Sequence, residues 1–167
     1  MTALFRYPSP LGELLLSSDG TNITGLWLEG QKYYASGVEG DAAEEHLPLF
    51  DTAAAWLDAY FKGRNPAPSS LPLCPAGTLF RQRVWQLWTE IPYGQTVTYG
   101  QLAKRYEAMF GQKTAPRAVG GAVGHNPISV IIPCHRVVGG GGALTGYAGG
   151  TDRKEYLLNL EQKNCRG

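Results

Sequence analysis

The chain has 167 residues, enough for one compact domain or two small ones with a real core. Its composition is 43% apolar and 17% charged, which is typical of a globular protein. No apolar span is long enough to cross a bilayer, and no charged-then-apolar leader follows Met1. We therefore expect no membrane-spanning helix.

The net charge of +1 hides an uneven distribution. Residues 1–79 carry four basic and nine acidic side chains, a net −5, whereas residues 80–167 carry eleven basic and five acidic ones, a net +6. This contrast predicts two units, the second of which faces a polyanion such as nucleic acid. Solvated charged surface is the alternative explanation, and the charge pattern alone does not decide between them.

The cysteines argue against a disulfide framework or a zinc cluster. Cys74, Cys134 and Cys165 are odd in number, widely spaced and never in a CxxC pair. We therefore expect a reducing, cytoplasmic location, or the nucleus in a eukaryote.

The first unit is predicted to contain strands followed by a helix. Residues 14–16 and 23–28 are β-prone runs, and the turn-forming residues 18–22 separate them. Apolar residues at helical spacing predict a helix over residues 48–61. The proline-rich residues 66–72 are predicted to be an extended linker. We place a domain boundary there, which divides the chain into residues 1–75 and 76–167.

The second unit is predicted to be mostly helical. Apolar residues over 80–91 have helical spacing, and the Pro-Tyr-Gly at residues 92–94 ends that helix. The T-x-x-Q pattern at Thr98 has the form of a capping box, so a second helix should begin near Tyr99 and end by Gly111.

A third, short helix is predicted from an N-cap at Thr114 to residues 126–127, so that the two helices form a helix-turn-helix. Its small residues are Ala115, Ala118, Gly120, Gly121, Ala122 and Gly124. They suit either close packing on another helix or docking into a groove, with Arg117 near the positive N-terminal end. Both interpretations stay open.

Residues 131–138, Ile-Ile-Pro-Cys-His-Arg-Val-Val, place Cys134 beside His135. A thiolate is a strong nucleophile, and a basic neighbour lowers the thiol pKa. The glycines at 139–142 leave room for a substrate to approach the sulfur. The alternative is a buried strand that holds a small apolar cysteine.

The last helix supplies a carboxylate. Glycines at 149–150 precede residues 152–155, which have capping-box form, and Glu161 lies on the same stripe as Leu157 and Leu158. A buried carboxylate needs a partner, and His135 is the natural one. The predicted triad is Glu161 orienting His135, which takes the proton of Cys134 through a water or a tight turn. We expect this to lower the Cys134 pKa below about 8.5. A Glu161 bonded only to backbone is the alternative.

Motifs across residues 78–162 resemble the O6-alkylguanine-DNA alkyltransferases, also called methylated-DNA–protein-cysteine methyltransferases. The matching residues, in chain order, are Phe80-x-x-x-Val84-Trp85, Ile91-Pro92-Tyr93-Gly94, Tyr99-x-Gln101-Leu102-Ala103, Arg117-Ala118-Val119-Gly120, Asn126-Pro127-Ile128, Pro133 to Val138, Leu144 to Gly150, and Arg153-Lys154-x-x-Leu157-Leu158-x-x-Glu161. The resemblance implies an α+β protein. Its small N-terminal ribonuclease-H-like α/β domain does no chemistry, and its helical, winged-helix-like C-terminal domain carries the helix-turn-helix.

The same resemblance implies a role for each site residue. Cys134 would accept the alkyl group from O6-alkylguanine in duplex DNA, with O4-alkylthymine a second candidate substrate, and no cofactor or metal would be needed. Arg117 would fill the place of a base that is flipped through the minor groove. The other implied roles are rotation and protonation of the nucleotide by Tyr99, support of the active-site turn by Asn126, contact with DNA by Ala115, Ala118 and Gly121, and walls of the substrate pocket by Tyr147, Ala148 and Val137.

Two departures from the family pattern stand out. The segment from Lys104 to Pro116 is about four residues longer than the motif spacing that the resemblance implies, and Ala148 stands where some members carry serine. The resemblance implies a monomer, with cooperative assembly on DNA left open. A non-reacting lesion sensor of the same fold and a Cys-His-Glu hydrolase are the competing functions.

Overall fold

A computed structural model describes residues 2–31, 34, 35, 38, 40, 42–144, 147 and 149–165. The chain divides into two compact units. The first consists of Met1–Ala76 with Pro127–Ile131, and the second consists of Gly77–Asn126 with Ile132–Gly167. In the part of the chain that is described, no helix is long and apolar enough to cross a membrane.

The first unit is built on a four-stranded sheet and one helix. Its elements are β1 (Ala3–Ser9), β2 (Gly12–Ser18), β3 (Ile23–Leu28), β4 (Ala43–Glu44) and α1 (Pro48–Phe61). The strand order is β3-β2-β1-β4, antiparallel except for the β1–β4 pair. The strands predicted over residues 14–16 and 23–28 and the helix over 48–61 are confirmed. The segment predicted to be extended contains one 3-10 turn, at Pro68–Ser70.

Residues 127–131 add a strand-like segment to the outer edge of β3. The Leu26 amide donates to the Pro127 carbonyl at 2.7 Å, and the Ser129 amide donates to the Leu26 carbonyl at 3.0 Å. Val130 has a φ of +69°, which is unusual for a β-branched residue. The Ile131 amide donates to the Ser129 carbonyl at 2.8 Å across Val130, so the chain makes a strained tight turn directly after the segment that bonds to β3.

The second unit is mostly helical, as predicted. Its elements are α2 (Leu79–Thr89), β5 (Val97–Thr98), α3 (Tyr99–Phe110), α4 (Pro116–Gly124), β6 (Val137–Val138) and α5 (Thr151–Asn164), with 3-10 turns at Cys134–Arg136 and Gly140–Gly142. Strands β5 and β6 pair in parallel. Helices α3 and α4, joined by residues 111–115, are the two helices of the predicted helix-turn-helix.

The caps of α3 follow the sequence prediction. The Thr98 hydroxyl accepts a bond from the Gln101 amide at 3.1 Å, and the Gln101 side chain accepts one from the Thr98 amide at 2.9 Å. Gly111 ends the helix in the left-handed conformation, with a φ of +71°. Both signals are local, so the sequence predicts these ends well.

Two other predicted caps are wrong. The N-cap of α4 is Ala115 and not Thr114, and its side chain caps nothing. Pro116 at the first helical position accounts for the start of α4, because its fixed φ suits a helix and it has no backbone N–H that would need a hydrogen-bond acceptor. Helix α5 begins after Gly150 without a side-chain cap, so the capping box predicted at residues 152–155 is absent. Asp152 instead lies inside the first turn, where its charge favours the helix dipole.

Candidate active site

Cys134 is the first residue of a buried 3-10 turn. The residue is 2% exposed. Its amide donates to the Ile132 carbonyl at 2.8 Å, and the Asn126 side-chain amide donates to the same carbonyl at 3.0 Å. Asn126 therefore supports the turn before the cysteine. The alternative of a cysteine within a buried strand is wrong, since β6 begins only at Val137.

His135 and Glu161 meet as the sequence predicts. The His135 Nε2 and the Glu161 Oε2 are 2.5 Å apart, and both side chains are fully buried. Glu161 also accepts bonds from the Arg136 Nε at 2.8 Å, the Arg136 Nη2 at 3.1 Å and the Gly94 amide at 3.1 Å. The alternative of a Glu161 bonded only to backbone is therefore wrong.

The surroundings keep Glu161 ionised and His135 neutral. Burial by itself would raise the Glu161 pKa, but the bonds from His135 and Arg136 outweigh it and hold the pKa well below its ordinary value. Burial lowers the His135 pKa despite the carboxylate beside it. A carboxylate can only accept, so Nε2 carries the hydrogen of the neutral ring and Nδ1 has the lone pair. The ring is thus prepared to accept a proton at Nδ1.

The expected low pKa of Cys134 is wrong. Burial raises the pKa of the thiol to about 11, against the opposing effects of the Asn126 side chain and the Lys154 charge. The removal of water from around the sulfur therefore has a larger effect than the charged neighbours. Cys134 is therefore a neutral thiol at neutral pH, and it must lose its proton in order to act as a nucleophile.

Two buried cations were missed as site residues. The Arg136 Nη1 donates to the Ile91 carbonyl at 2.6 Å besides its bonds to Glu161. The Lys154 Nζ donates to the Val137 carbonyl at 2.5 Å, and burial lowers the Lys154 pKa to about 8. The spacing gives a signal for Lys154, because residues 154, 157 and 161 share one face of α5.

The predicted pocket residues are described only in part. The Tyr147 ring packs edge-on to the His135 ring, with centroids 6.5 Å apart, and Tyr147 is 7% exposed. Val137 is fully buried. Ala148 lies outside the described residues.

Helix α4 has one buried and one exposed face. Val119, Ala122 and Val123 are buried, and the Trp85 indole donates to the Ala122 carbonyl at 3.0 Å. The residues of this helix and its N-cap that are predicted to contact DNA are all exposed: Ala115, Arg117, Ala118 and Gly121. Close packing explains only part of the small-residue pattern, since the Ala118 and Gly121 face is open.

Tyr99 is half-buried at the start of α3. A Cβ atom built on Gly120 would lie 3.9 Å from the Tyr99 Cε1, so the tyrosine lies against α4. Tyr99, the first residue of α3, therefore lies beside the small residues of α4.

Comparisons with known proteins now identify the family. The model of the 6-O-methylguanine DNA methyltransferase DNA-binding domain matches residues 79–163, and the model of the ribonuclease-like domain matches residues 6–75. The chain belongs to the 6-O-methylguanine DNA methyltransferase family. It is 46% identical over 164 residues to a methylated-DNA–protein-cysteine methyltransferase of Haemophilus influenzae, covering 97% of this chain and 88% of the relative.

Other family members are similar to this protein over nearly its whole length. A methylated-DNA–protein-cysteine methyltransferase of Methanosarcina barkeri is 44% identical, over 95% of this chain and 96% of the relative. The solved O6-methylguanine methyltransferase of Mycobacterium tuberculosis has a TM-score of 0.83 and 41% identity, over 98% of this chain and 94% of that one. The M. tuberculosis protein OGT, solved in complex with DNA, has a TM-score of 0.83 and 40% identity, over 98% and 93%.

Proposed function

We propose that this chain repairs alkylated DNA by moving the alkyl group of O6-alkylguanine onto the Cys134 sulfur, once per molecule. O4-alkylthymine is a second candidate substrate. The observation that carries the proposal is a buried thiol whose neighbour His135 is held neutral, with its Nε2 bonded to a buried carboxylate. The family membership, shown over nearly the whole chain, supports the same reaction.

The proposed chemistry is a displacement at the alkyl carbon. His135 takes the thiol proton as the sulfur attacks, because a thiol with a pKa near 11 is protonated before the substrate arrives. The ion-paired Glu161 stabilises the imidazolium that forms. The sulfur–carbon bond forms as the carbon–oxygen bond breaks, and Tyr99 donates a proton to the leaving guanine. The His135 imidazolium then releases its proton and the Tyr99 phenolate takes one up through solvent. Overall, the thiol proton replaces the alkyl group on the base.

The thioether product explains why one molecule acts once. A simple S-alkyl cysteine offers no route for water to release the group, so the hydrolase alternative has no second step. The thiol is both nucleophile and acceptor, and the reaction needs no cofactor. The presence of Cys134 disfavours the sensor alternative, in which no transfer would occur.

We propose that the exposed face of α4 meets duplex DNA in the minor groove. Ala115, Ala118 and Gly121 present little bulk there, so the helix backbone can approach the duplex closely. Arg117 occupies the space that the flipped nucleotide leaves, and Tyr99 rotates that nucleotide toward Cys134. The net charge of +6 over residues 80–167 favours a polyanion.

The remaining proposals concern organisation. Residues 1–75 act as a structural domain, and residues 76–167 bind DNA and accept the alkyl group. The protein acts as a monomer. Because its substrate is genomic DNA, it works in the cytoplasm of a prokaryote or the nucleus of a eukaryote.

Mass spectrometry tests the reaction directly. Incubation with a duplex containing one O6-methylguanine should add a single methyl group per protein molecule, located at Cys134. The Cys134→Ala variant should gain nothing, whereas Cys74→Ala and Cys165→Ala should react like the wild type. An unchanged wild-type mass would support a sensor, and repaired DNA in excess of protein would support a hydrolase.

A further inference from the structure

The connection between α3 and α4 determines where Arg117 points. Residues 111–115 form this connection. They belong to residues 104–116, a segment that the family resemblance implies is about four residues longer than usual. Ala115, the N-cap of α4, makes no side-chain cap bond, and Arg117 is an exposed residue of the first turn. The direction of that turn therefore depends on how the connection is held.

One end of the connection is held by side chains of α2 and α3. The Arg83 guanidinium lies over the Phe110 ring, 4.7 Å from its centroid, and its Nη1 donates to the Gln112 side chain at 3.4 Å. We call Arg83, Phe110 and Gln112 the α3 clamp. One guanidinium thus contacts both the last residue of α3 and a residue of the connection.

The α3 clamp rests on buried aromatic packing. Phe110 packs on Tyr106 with ring centroids 4.9 Å apart, and Tyr106 packs on Phe80 at 5.2 Å. Tyr106 is only 3% exposed. The Gly111 amide completes the helix end by donating to the Glu107 carbonyl at 2.9 Å. The clamp therefore ties the connection to a fixed part of the second unit.

We infer that the α3 clamp positions Arg117 for action on duplex DNA. Its members are positioning residues, because none of them contacts Cys134, His135 or Glu161 in the described structure. The inference rests on the proposed function. Loosening the clamp gives the connection more conformations, and Arg117 then spends less time where it can replace a flipped base. A free alkylated base needs no flipping, so its reaction does not depend on the clamp.

Two variants that conserve charge test the inference. Phe110→Leu keeps an apolar side chain but removes the ring under Arg83, and Arg83→Lys keeps the charge but loses the planar guanidinium and its geometry toward Gln112. Each should slow methyl transfer from duplex DNA about tenfold and change reaction with free O6-benzylguanine less than about twofold. Affinity for undamaged duplex should stay near wild type, because phosphate contacts supply it.

Phe61→Leu is the matched control for Phe110→Leu. Phe61 is also a half-buried last residue of a helix, and its ring packs on an aromatic neighbour, Tyr60, with centroids 5.4 Å apart. This control should leave the ratio of the rate with duplex DNA to the rate with free O6-benzylguanine unchanged. Wild-type duplex rates in both clamp variants, or equal slowing with duplex and free base, would overturn the inference. A wild-type protein that alkylates itself with neither substrate would instead overturn the proposed function.

Discussion

At the scale of single residues, burial prepares the nucleophile and the base in opposite ways. It raises the pKa of the Cys134 thiol and lowers that of the His135 imidazole, so both groups are neutral at neutral pH. A neutral pair avoids placing a thiolate and an imidazolium in a dry site before the substrate arrives. The proton transfer then accompanies the attack on the alkyl carbon, with Glu161 already ionised to stabilise the product.

The pH dependence of thiol labelling tests this resting state. In a Cys74→Ser/Cys165→Ser background, alkylation of Cys134 by a small probe should keep rising with pH through pH 9, because the pKa of the thiol is about 11. The rate constant is measured by mass spectrometry at each pH. A plateau below about pH 8.5 would indicate an activated thiolate and contradict the neutral pair.

Removal of the Glu161 charge should destabilise the protein. Glu161→Gln leaves the buried Arg136 without its carboxylate, and breaking a buried ion pair costs about 3–5 kcal/mol. Urea unfolding at pH 7 measures the loss. Glu155→Gln, an exposed change in the same helix, should stay within about 0.5 kcal/mol of wild type. Equal stability of the two variants would mean that the buried pair adds nothing to the fold.

At the scale of elements, local signals explain what the sequence predicts. The ends of α3 follow from Thr98, Gln101 and Gly111, whose effects act within one turn. Strand β1 has no such local signal, because its polar and apolar residues do not alternate and it contains Pro8. It forms a strand because it pairs with β2. The addition of residues 127–131 to β3 is equally non-local. Contacts between distant residues are what the sequence pattern does not specify.

The same contrast holds in the candidate site. The position of Glu161 on an apolar stripe predicts a buried partner, and an imidazole is the natural partner, which points to His135, one of three histidines in the sequence. The sequence does not predict the burial of Arg136, because charged residues are ordinarily exposed and its partner Ile91 is distant along the chain. The burial of Lys154 does have a local signal, its spacing with Leu157 and Glu161, but its partner Val137 is equally distant. The Cys134 pKa was misjudged because the sequence shows charged neighbours but not the extent of burial.

The capping box of α3 gives a prediction for this element. Thr98→Ala removes the hydroxyl that accepts from the Gln101 amide, so the free energy of unfolding should fall by about 1 kcal/mol. Thr52→Ala, an exposed threonine within α1, is the matched control and should change it by less than about 0.5 kcal/mol. Chemical denaturation measures both. A loss as large in Thr52→Ala would show that threonine-to-alanine replacement, and not the cap, is responsible.

The exposed end of α4 gives a second prediction for an element. Arg117→Ala should slow repair of duplex DNA strongly and barely change reaction with free O6-benzylguanine, because only the duplex requires a base to leave the stack. Tyr99→Phe should slow both, since it removes the proton donor to the leaving guanine. Rate constants for the two substrates are compared in each variant. Equal slowing of both by Arg117→Ala would place this residue in the structure of the pocket.

At the scale of the whole molecule, charge and burial serve different purposes. The excess of basic residues over 80–167 favours a polyanion, whereas the buried charges of Arg136, Lys154 and Glu161 are paired or hydrogen-bonded inside the second unit. Buried ionisable groups bind protons differently in the folded and unfolded chain, so the stability of the protein depends on pH.

The free energy of unfolding should fall on acidification. Folding lowers the pKa of both His135 and Glu161, so the unfolded chain binds more protons than the folded one in acid. The lowered pKa of Lys154, about 8, adds an earlier decline that begins in alkali and is nearly complete at pH 7. From pH 7 downward, stability should decline first below the ordinary histidine pKa of about 6.5 and again below the ordinary glutamate pKa of about 4.3. Each group contributes a slope of up to about 1.4 kcal/mol per pH unit. Urea unfolding from pH 7 to pH 4 follows the histidine and glutamate phases.

The first acid phase should come from His135, which is the only buried histidine among the residues that the structure describes. His46→Gln, which changes an exposed side chain paired with Asp51, should keep the phase near pH 6.5, whereas His135→Gln should remove it and leave the glutamate phase. If His135→Gln does not fold, NMR titration of the wild-type His135 ring gives the same answer, because burial lowers the His135 pKa and a neutral ring should persist below pH 6.5. Stability that stays flat from pH 7 to pH 5 in the wild type would show that His135 is protonated as readily in the folded chain as in the unfolded one. The neutral base on which the proposed proton transfer depends would then be absent.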